Sequence, residues 1–367
     1  MTAKDDRVSS TSAGGRLKAA LPVALALAAA VGCTGHVAWF FGAEGALPRA
    51  TRSSARDSMR ENQACEGCHA DVAAEWRSSQ HRTAFTDPTF QKALAVEPKA
   101  FCRDCHAPED PDAARPDGPQ TLGVACVTCH LAGDAVLAAP KPGLSRAPHR
   151  VARMAAFGSA AACAGCHEFS FGDDERREAP LLMQRTAAEH AASDHADRSC
   201  ADCHMPRGAG GRRSHAFAST RDPASHERAI VARVERTGET SLRVELEAIG
   251  VGHAYPTGDL FRRVAVEAEV VGSDYQRIAS AERFLGRHFT TGTDLRGEPI
   301  RVEVRDNRVG ARPGERTVVD LQLGDRARGF PIGWRVSLDR VLHVSDHREA
   351  AAVVGDRVVL ASGEVAP

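Results

Sequence analysis

One pentapeptide pattern constrains this chain more than any other: Cys-x-x-Cys-His, present five times between residues 65 and 204. The copies are Cys65-Glu66-Gly67-Cys68-His69, Cys102-Arg103-Asp104-Cys105-His106, Cys126-Val127-Thr128-Cys129-His130, Cys163-Ala164-Gly165-Cys166-His167 and Cys200-Ala201-Asp202-Cys203-His204. Two thiols one helical turn apart can reach the two vinyl groups of one porphyrin, and the next residue then projects an imidazole onto the iron. The pattern therefore reads as covalent c-type heme attachment. The pairs Cys65/Cys68, Cys102/Cys105, Cys126/Cys129, Cys163/Cys166 and Cys200/Cys203 hold five hemes, with His69, His106, His130, His167 and His204 as proximal ligands. Chance would supply roughly 0.01 such motifs among eleven cysteines. Zinc knuckles also use Cys-x-x-Cys, but zinc does not require a His after every second Cys. Disulfides of that spacing leave the His unexplained.

Five hemes in this span leave about 28 residues for each, too few for an ordinary core. Porphyrins must then supply much of the buried apolar surface, which agrees with an aromatic content of only 5%. Net charge is −1, from 47 Lys+Arg and 48 Asp+Glu, so no basic excess points to nucleic acid.

Residues 1–43 read as an export signal or membrane anchor. Arg16 and Lys18 form a positive flank, Leu21–Val31 an apolar stretch, and residues 19–43 carry no Asp, Glu, Lys or Arg. Two readings of its end stay open. Ala30-Val31-Gly32-Cys33 resembles a bacterial lipobox, with Cys33 lipidated, whereas the uncharged run of about 25 residues is also long enough to span a bilayer core. Both put the body of the chain in the periplasm or elsewhere outside the cytoplasm, held at a membrane through the N-terminus.

The sixth iron position separates electron transfer from catalysis. Glu75-Trp76-Arg77-Ser78-Ser79-Gln80-His81 is echoed by Glu189-His190-Ala191-Ala192-Ser193-Asp194-His195, with Glu, Ser and His at equal offsets. Both stretches read as helix. On one continuous helix, His81 would stand about 18 Å from His69. His81 is therefore expected to ligate a neighbouring heme, and His195 is argued by the echo. His190 reads as an exposed helix residue.

The segments Glu75–His81, Cys102–Pro108, Gly123–His130, Ser145–His149 ahead of Cys163–Phe169, and Cys200–Pro206 followed by Ser214–Phe217 resemble the multiheme cytochromes of the cytochrome c-554 type. The resemblance covers about residues 60–217 and implies that His81, His149, His195 and His215 supply distal imidazoles. The type member has four hemes, so the fifth motif is a departure.

From Ala229 there are no further cysteines, and apolar residues alternate with charged ones at Leu242–Glu247, Val264–Val271, Ile300–Arg305, Thr317–Leu323 and Trp334–Val344. Short strands separated by turn signals suggest an antiparallel sandwich. The expected fold is a mainly irregular and helical heme-cored cytochrome domain over 60–217, then an all-β, sandwich-like domain over 229–362, with 207–228 as linker. Five irons and four heme-region ligands leave one imidazole to find. His253 lies in the glycine-bounded, turn-forming segment Gly252 to Gly258, where backbone can approach a porphyrin. It is expected to be the fifth distal ligand, with His226 next.

Electron relay between other redox proteins, or from a quinol-oxidising complex, is the function this pattern favours, with no catalytic residue. The alternative is an oxidoreductase with one open iron acting on a small nitrogen or sulfur compound. Replacing Cys33 by Ala should release a lipoprotein from the membrane fraction, whereas unchanged fractionation would identify the uncleaved span.

Overall fold

The computed structural model describes residues 47–49, 57–110, 116–141, 147–171, 180–217, 223–311, 314–342 and 351–367. Cys33 and the uncharged run of residues 19–43 lie outside the described residues. Among the described residues no helix is long and apolar enough to cross a membrane. From Leu47 to Pro367 the chain is one compact unit.

The N-terminal part is a set of short helices: α1 (Ser58–Cys68), α2 (Ala70–Arg77), α3 (Pro88–Val96), α4 (Phe101–His106), α5 (Cys126–His130), α6 (Ala161–His167), α7 (Thr186–Ala191) and α8 (Cys200–His204). Between them lie a three-stranded sheet, β1 (Leu131–Ala132), β2 (Ala135–Ala138) and β3 (Val151–Arg153), and the pair β4 (Glu168–Ser170) and β5 (Leu182–Arg185). Each Cys-x-x-Cys pair sits one turn apart on a helix. The motif His ends α4, α5, α6 and α8, and His69 caps α1. Apolar burial here is slight. A small cluster of Trp76, Leu122, Ala125 and Val127 is packed by Cys65, Cys126 and Leu131.

The C-terminal part is strand-rich. The short helix α9 (Pro223–Glu227) leads into β6 (Ile230–Gly238), β7 (Ser241–Ala248), β8 (Arg262–Val271), β9 (Arg277–Leu285), β10 (Arg287–Thr293), β11 (Pro299–Asp306), β12 (Thr317–Gln322), β13 (Ile332–Val341) and β14 (Val354–Val365). A three-stranded sheet, β12-β7-β6, and a four-stranded sheet, β14-β13-β8-β9, enclose one core, with every pairing antiparallel. Alternation on β7 sends Leu242, Val244 and Leu246 inward against Val264, Val266, Val270, Leu321, Ile332 and Val336, all fully buried. Each such side chain contributes about 1.5–3 kcal/mol by leaving water.

Two details differ from the sequence reading. His226, within the expected 207–228 linker, lies on the short helix α9, is 4% exposed, and its Nδ1 lies 2.6 Å from the Tyr255 hydroxyl. His190 is half-buried, because the backbone of Gly252 approaches it so closely that a Cβ there would stand 2.9 Å from its ring.

A network of charges joins the two parts. Arg308, 3% exposed, pairs with Glu189 of α7 at 2.5 Å and with Asp306 at 2.8 Å. Arg185 of β5 pairs with the same Glu189 at 3.2 Å and with Asp306, and Arg287 donates to the Met183 and Leu182 carbonyls at 2.6 and 2.7 Å. Removing one partner of a buried ion pair leaves the other charge uncompensated. Arg308→Ala should destabilise the protein by about 3 kcal/mol, near the lower end of that class because Arg185 shares both carboxylates. Equilibrium denaturation measures it.

Candidate metal centres

Two imidazoles bound trans on one metal ion, each through Nε2 at about 2 Å, hold their ring centroids about 6.3 Å apart. Four pairs in the structure have this separation: His69 and His149 at 6.5 Å, His81 and His167 at 6.1 Å, His130 and His215 at 6.2 Å, and His204 and His253 at 6.2 Å. Each joins a motif His to a histidine from elsewhere in the chain. The imidazoles come in twos. Among the described residues no group of three or more His, Cys, Asp or Glu is gathered as a bare ion such as zinc would need. The spacing and the adjacent cysteines thus fit an iron porphyrin, one iron between two rings.

The hydrogen bonds select the tautomer. Nδ1 of His106, His130, His215 and His253 faces a backbone carbonyl oxygen, of Ala84 at 2.8 Å, Leu137 at 2.9 Å, Arg213 at 3.1 Å and Ala254 at 3.1 Å. A carbonyl only accepts, so Nδ1 carries the proton and Nε2 keeps the lone pair a metal needs. Burial favours the same neutral form. It pushes His81 down to about 4 and His167 to about 3, and lowers His106, His130, His215 and His253.

The sequence echo proves to be a turn with two anchoring functions. In each copy the helix stops after its third residue, because a serine hydroxyl takes the carbonyl three positions back: Ser79 Oγ donates to Trp76 O at 2.7 Å and Ser193 Oγ to His190 O at 2.8 Å. His81 and His195 therefore sit on turns beyond α2 and α7, not on continuing helices. The glutamates reach outward. Glu75 accepts a bidentate pair from Arg212 at 2.7 and 2.8 Å and the N–H of His215 at 2.8 Å. Glu189 accepts from Arg308 and, at 3.0 Å, from Thr257 Oγ1 in the loop that carries His253. Each Glu thus fixes a segment bearing an imidazole that faces a motif His. Gly123 has a comparable task. At φ +62° it passes the His81 carbonyl so closely that a Cβ would stand 2.3 Å from that oxygen, and the next N–H, of Val124, donates to it at 2.8 Å.

His106 stands apart. Its ring stacks on Phe90 of α3 at 3.8 Å and 5°, and none of the candidate histidines faces it at a ligating distance. His195 is not brought to a motif His; its Cβ lies beside Gly252, 3.2 Å from where a Cβ there would be. Beneath the first and third motifs, Glu109, 4% exposed, accepts from Ser58 at 2.6 Å and Thr128 at 2.8 Å. Asn62 Oδ1 accepts the Cys126 N–H at 2.9 Å. Sequence reasoning missed these supports, since nothing local marks a single Glu or Asn as buried.

Arg212 and the His215 N–H hold the Glu75 carboxyl down at about 2, against an ordinary 4.5. A depressed carboxyl stabilises the fold above its unfolded value and loses that contribution as pH falls through the folded one. Docking of residues 212–217 should therefore weaken from about pH 4.5 towards 2. Glu75→Gln should weaken it already at neutral pH, read as faster amide exchange of the peptide containing His215.

Residues 64–131 match the family model described as cytochrome c554 and c-prime. No protein of curated function matches the chain. The fold is similar to that of a penta-heme cytochrome c552 from Thermochromatium tepidum, at 19% identity and a TM-score of 0.58, over 83% of this chain and 98% of that one. A β-glucuronidase of glycoside hydrolase family 2 aligns at 9% identity and a TM-score of 0.16, over 38% of this chain and 11% of that one, too weakly to inform the reading. Residues 64–131 thus resemble the cytochrome c554 and c-prime family, and the chain as a whole, with its heme-attachment motifs on short helices and a strand-rich part following them, has a fold similar to that of the penta-heme cytochrome.

Proposed function

We propose that this protein is a pentaheme electron carrier, exported from the cytoplasm and held at a membrane by its N-terminus. It relays electrons between other redox proteins or from a quinol-oxidising complex. Bound heme iron supplies a reversible one-electron change. The observation that carries the reading is the set of four imidazole pairs at 6.1 to 6.5 Å, which would leave those irons no open position for a substrate. Their proximal ligands are His69, His167, His130 and His204, and the distal ones His149, His81, His215 and His253. His204 and His215, from other pairs, and the unpaired His106 lie within electrostatic reach of His81. A cluster of that kind suits transfer from heme to heme. Bis-imidazole ligation also favours lower potentials than Met/His ligation.

A second reading rests on His106. Phe90 lies flat against its imidazole, and among the described residues no second histidine is paired with it. A heme on Cys102 and Cys105 would then keep one face open to a small nitrogen or sulfur compound, and the carrier would also be an oxidoreductase at that iron.

Electron paramagnetic resonance of the oxidised protein, with heme quantified per chain, tests both. Four low-spin signals and one high-spin signal are expected. A high-spin signal that shifts on adding hydroxylamine supports the second reading; five low-spin hemes exclude it. His253→Gly should raise the high-spin count from one to two, through the His204 heme alone. A folded, heme-free, zinc-containing product would overturn the assignment.

A further inference from the structure

The end of the sandwich nearest α3 carries two arginines in a position that like charges normally avoid. Arg262 opens β8 and Arg340 lies near the end of β13, and they are direct partners across the strands. Like charges so placed repel and destabilise a sheet unless something neutralises them. Arg340 is only partly served. It pairs with Asp87, the N-cap of the helix bearing Phe90, at 3.3 Å and with Asp356 at 3.9 Å, while its Nη1 is buried without a hydrogen bond. Arg262 is half-buried, and among the described residues no carboxylate ion-pairs with it. Its recorded bond is from Nη1 to the Thr257 carbonyl, at a long 3.4 Å. The side chain lies against Gly258, where a Cβ would meet Cζ at 3.2 Å. Asp259 in the same loop uses Oδ1 to accept the Phe261 N–H at 3.0 Å.

Arg262 also lines a cleft of about 380 Å³ with Arg263, Arg287 and Arg305. Arg263 and Arg287 are occupied by Asp339 and Glu303. The cleft is therefore cationic; Arg305 faces the His288 ring at 3.3 Å, and no carboxylate among the described residues ion-pairs with Arg262. Arg340 is tied to Asp87, the N-cap of α3, whose Phe90 stacks on His106 at 3.8 Å, which puts the arginine pair beside that centre.

We propose that Arg262 and Arg340 form an anion clamp beside the His106 heme, taking a carboxylate or an oxyanion. The proposal rests on the reading that Cys102, Cys105 and His106 hold a heme. The anion has two possible sources, a propionate of that heme or a small oxyanion entering through the cleft. An anion held close to an iron favours its ferric state and lowers its potential, and by linkage the clamp binds more tightly when that iron is oxidised.

Spectroelectrochemical titration of the full-length holoprotein, in chloride and in phosphate at equal ionic strength, tests the clamp. If the anion enters from solution, phosphate should lower the midpoint of one heme in the wild type, and Arg262→Gln should abolish that response. If it is a propionate, phosphate should have no effect. Arg262→Gln should then itself lower that midpoint in both salts, and Arg262→Lys should restore most of it. An Arg262→Gln protein that retains five hemes and titrates like the wild type in both salts overturns the clamp. Absence of heme on the Cys102–Cys105 peptide of the wild type, by mass spectrometry, would overturn the underlying reading instead.

Discussion

The rest of the structure depends on the distance between paired imidazoles, the spacing that two rings on one iron would need. That separation is short and fixed by bond lengths, yet the rings that meet it come from distant points in the chain: His69 with His149, His81 with His167, His130 with His215, His204 with His253. A covalently attached heme supplies one end of each link at no cost in chain geometry. The other end must be delivered by a segment that the polypeptide itself immobilises. The polar architecture of the N-terminal part makes sense in that light, since its apolar cluster is too small to hold those segments by packing alone.

The immobilising devices share one chemistry. Glu75 and Glu189 stand at equivalent places in the two sequence echoes, and each uses both carboxylate oxygens to anchor a downstream loop. Arginines pair both carboxylates: Arg212 holds the partly exposed Glu75, and Arg308 and Arg185 hold Glu189, whose burial would be costly unpaired. The return is positional precision in the rings those loops carry. The serines that end the helices contribute to the same result, because a continuing helix would carry His81 away from His167.

How much of this the sequence reveals follows from how local each feature is. The attachment motifs are pentapeptides whose geometry is complete within one helical turn, so spacing alone exposes them. The inward residues of β7 and β12 are legible because alternation is a period-two property. Strand β9 shows less alternation, since several of its residues are exposed, and sequence patterning passes over it. His253 is legible through its flanking glycines, and Gly252 also makes a close approach to His190 and His195 that the sequence does not show. The pairing of rings is not legible, because it is a tertiary fact. The echo carries the eye to His195, whereas the shared feature that the structure uses in both copies is the glutamate. Glu109 and Asn62 give no local signal at all.

The β domain completes the argument. Its core is a continuous set of buried Val, Leu and Ile side chains that needs no cofactor, in contrast to the thin cluster beneath the heme motifs. It therefore offers a rigid frame from which single groups can be presented to the heme region. His253 is presented on the loop before β8, with Thr257 tied to Glu189 and to Thr186. Arg340 is presented from β13, tied to the cap of the helix that carries Phe90. One end of the sandwich thus brings an imidazole to His204 and a cationic pair towards His106. Among the described histidines, His204 is faced by one from the β domain and His106 by none from the N-terminal part. The sandwich acts on the metal centres through charge and ligation at its loop ends, while its interior remains an ordinary hydrophobic core.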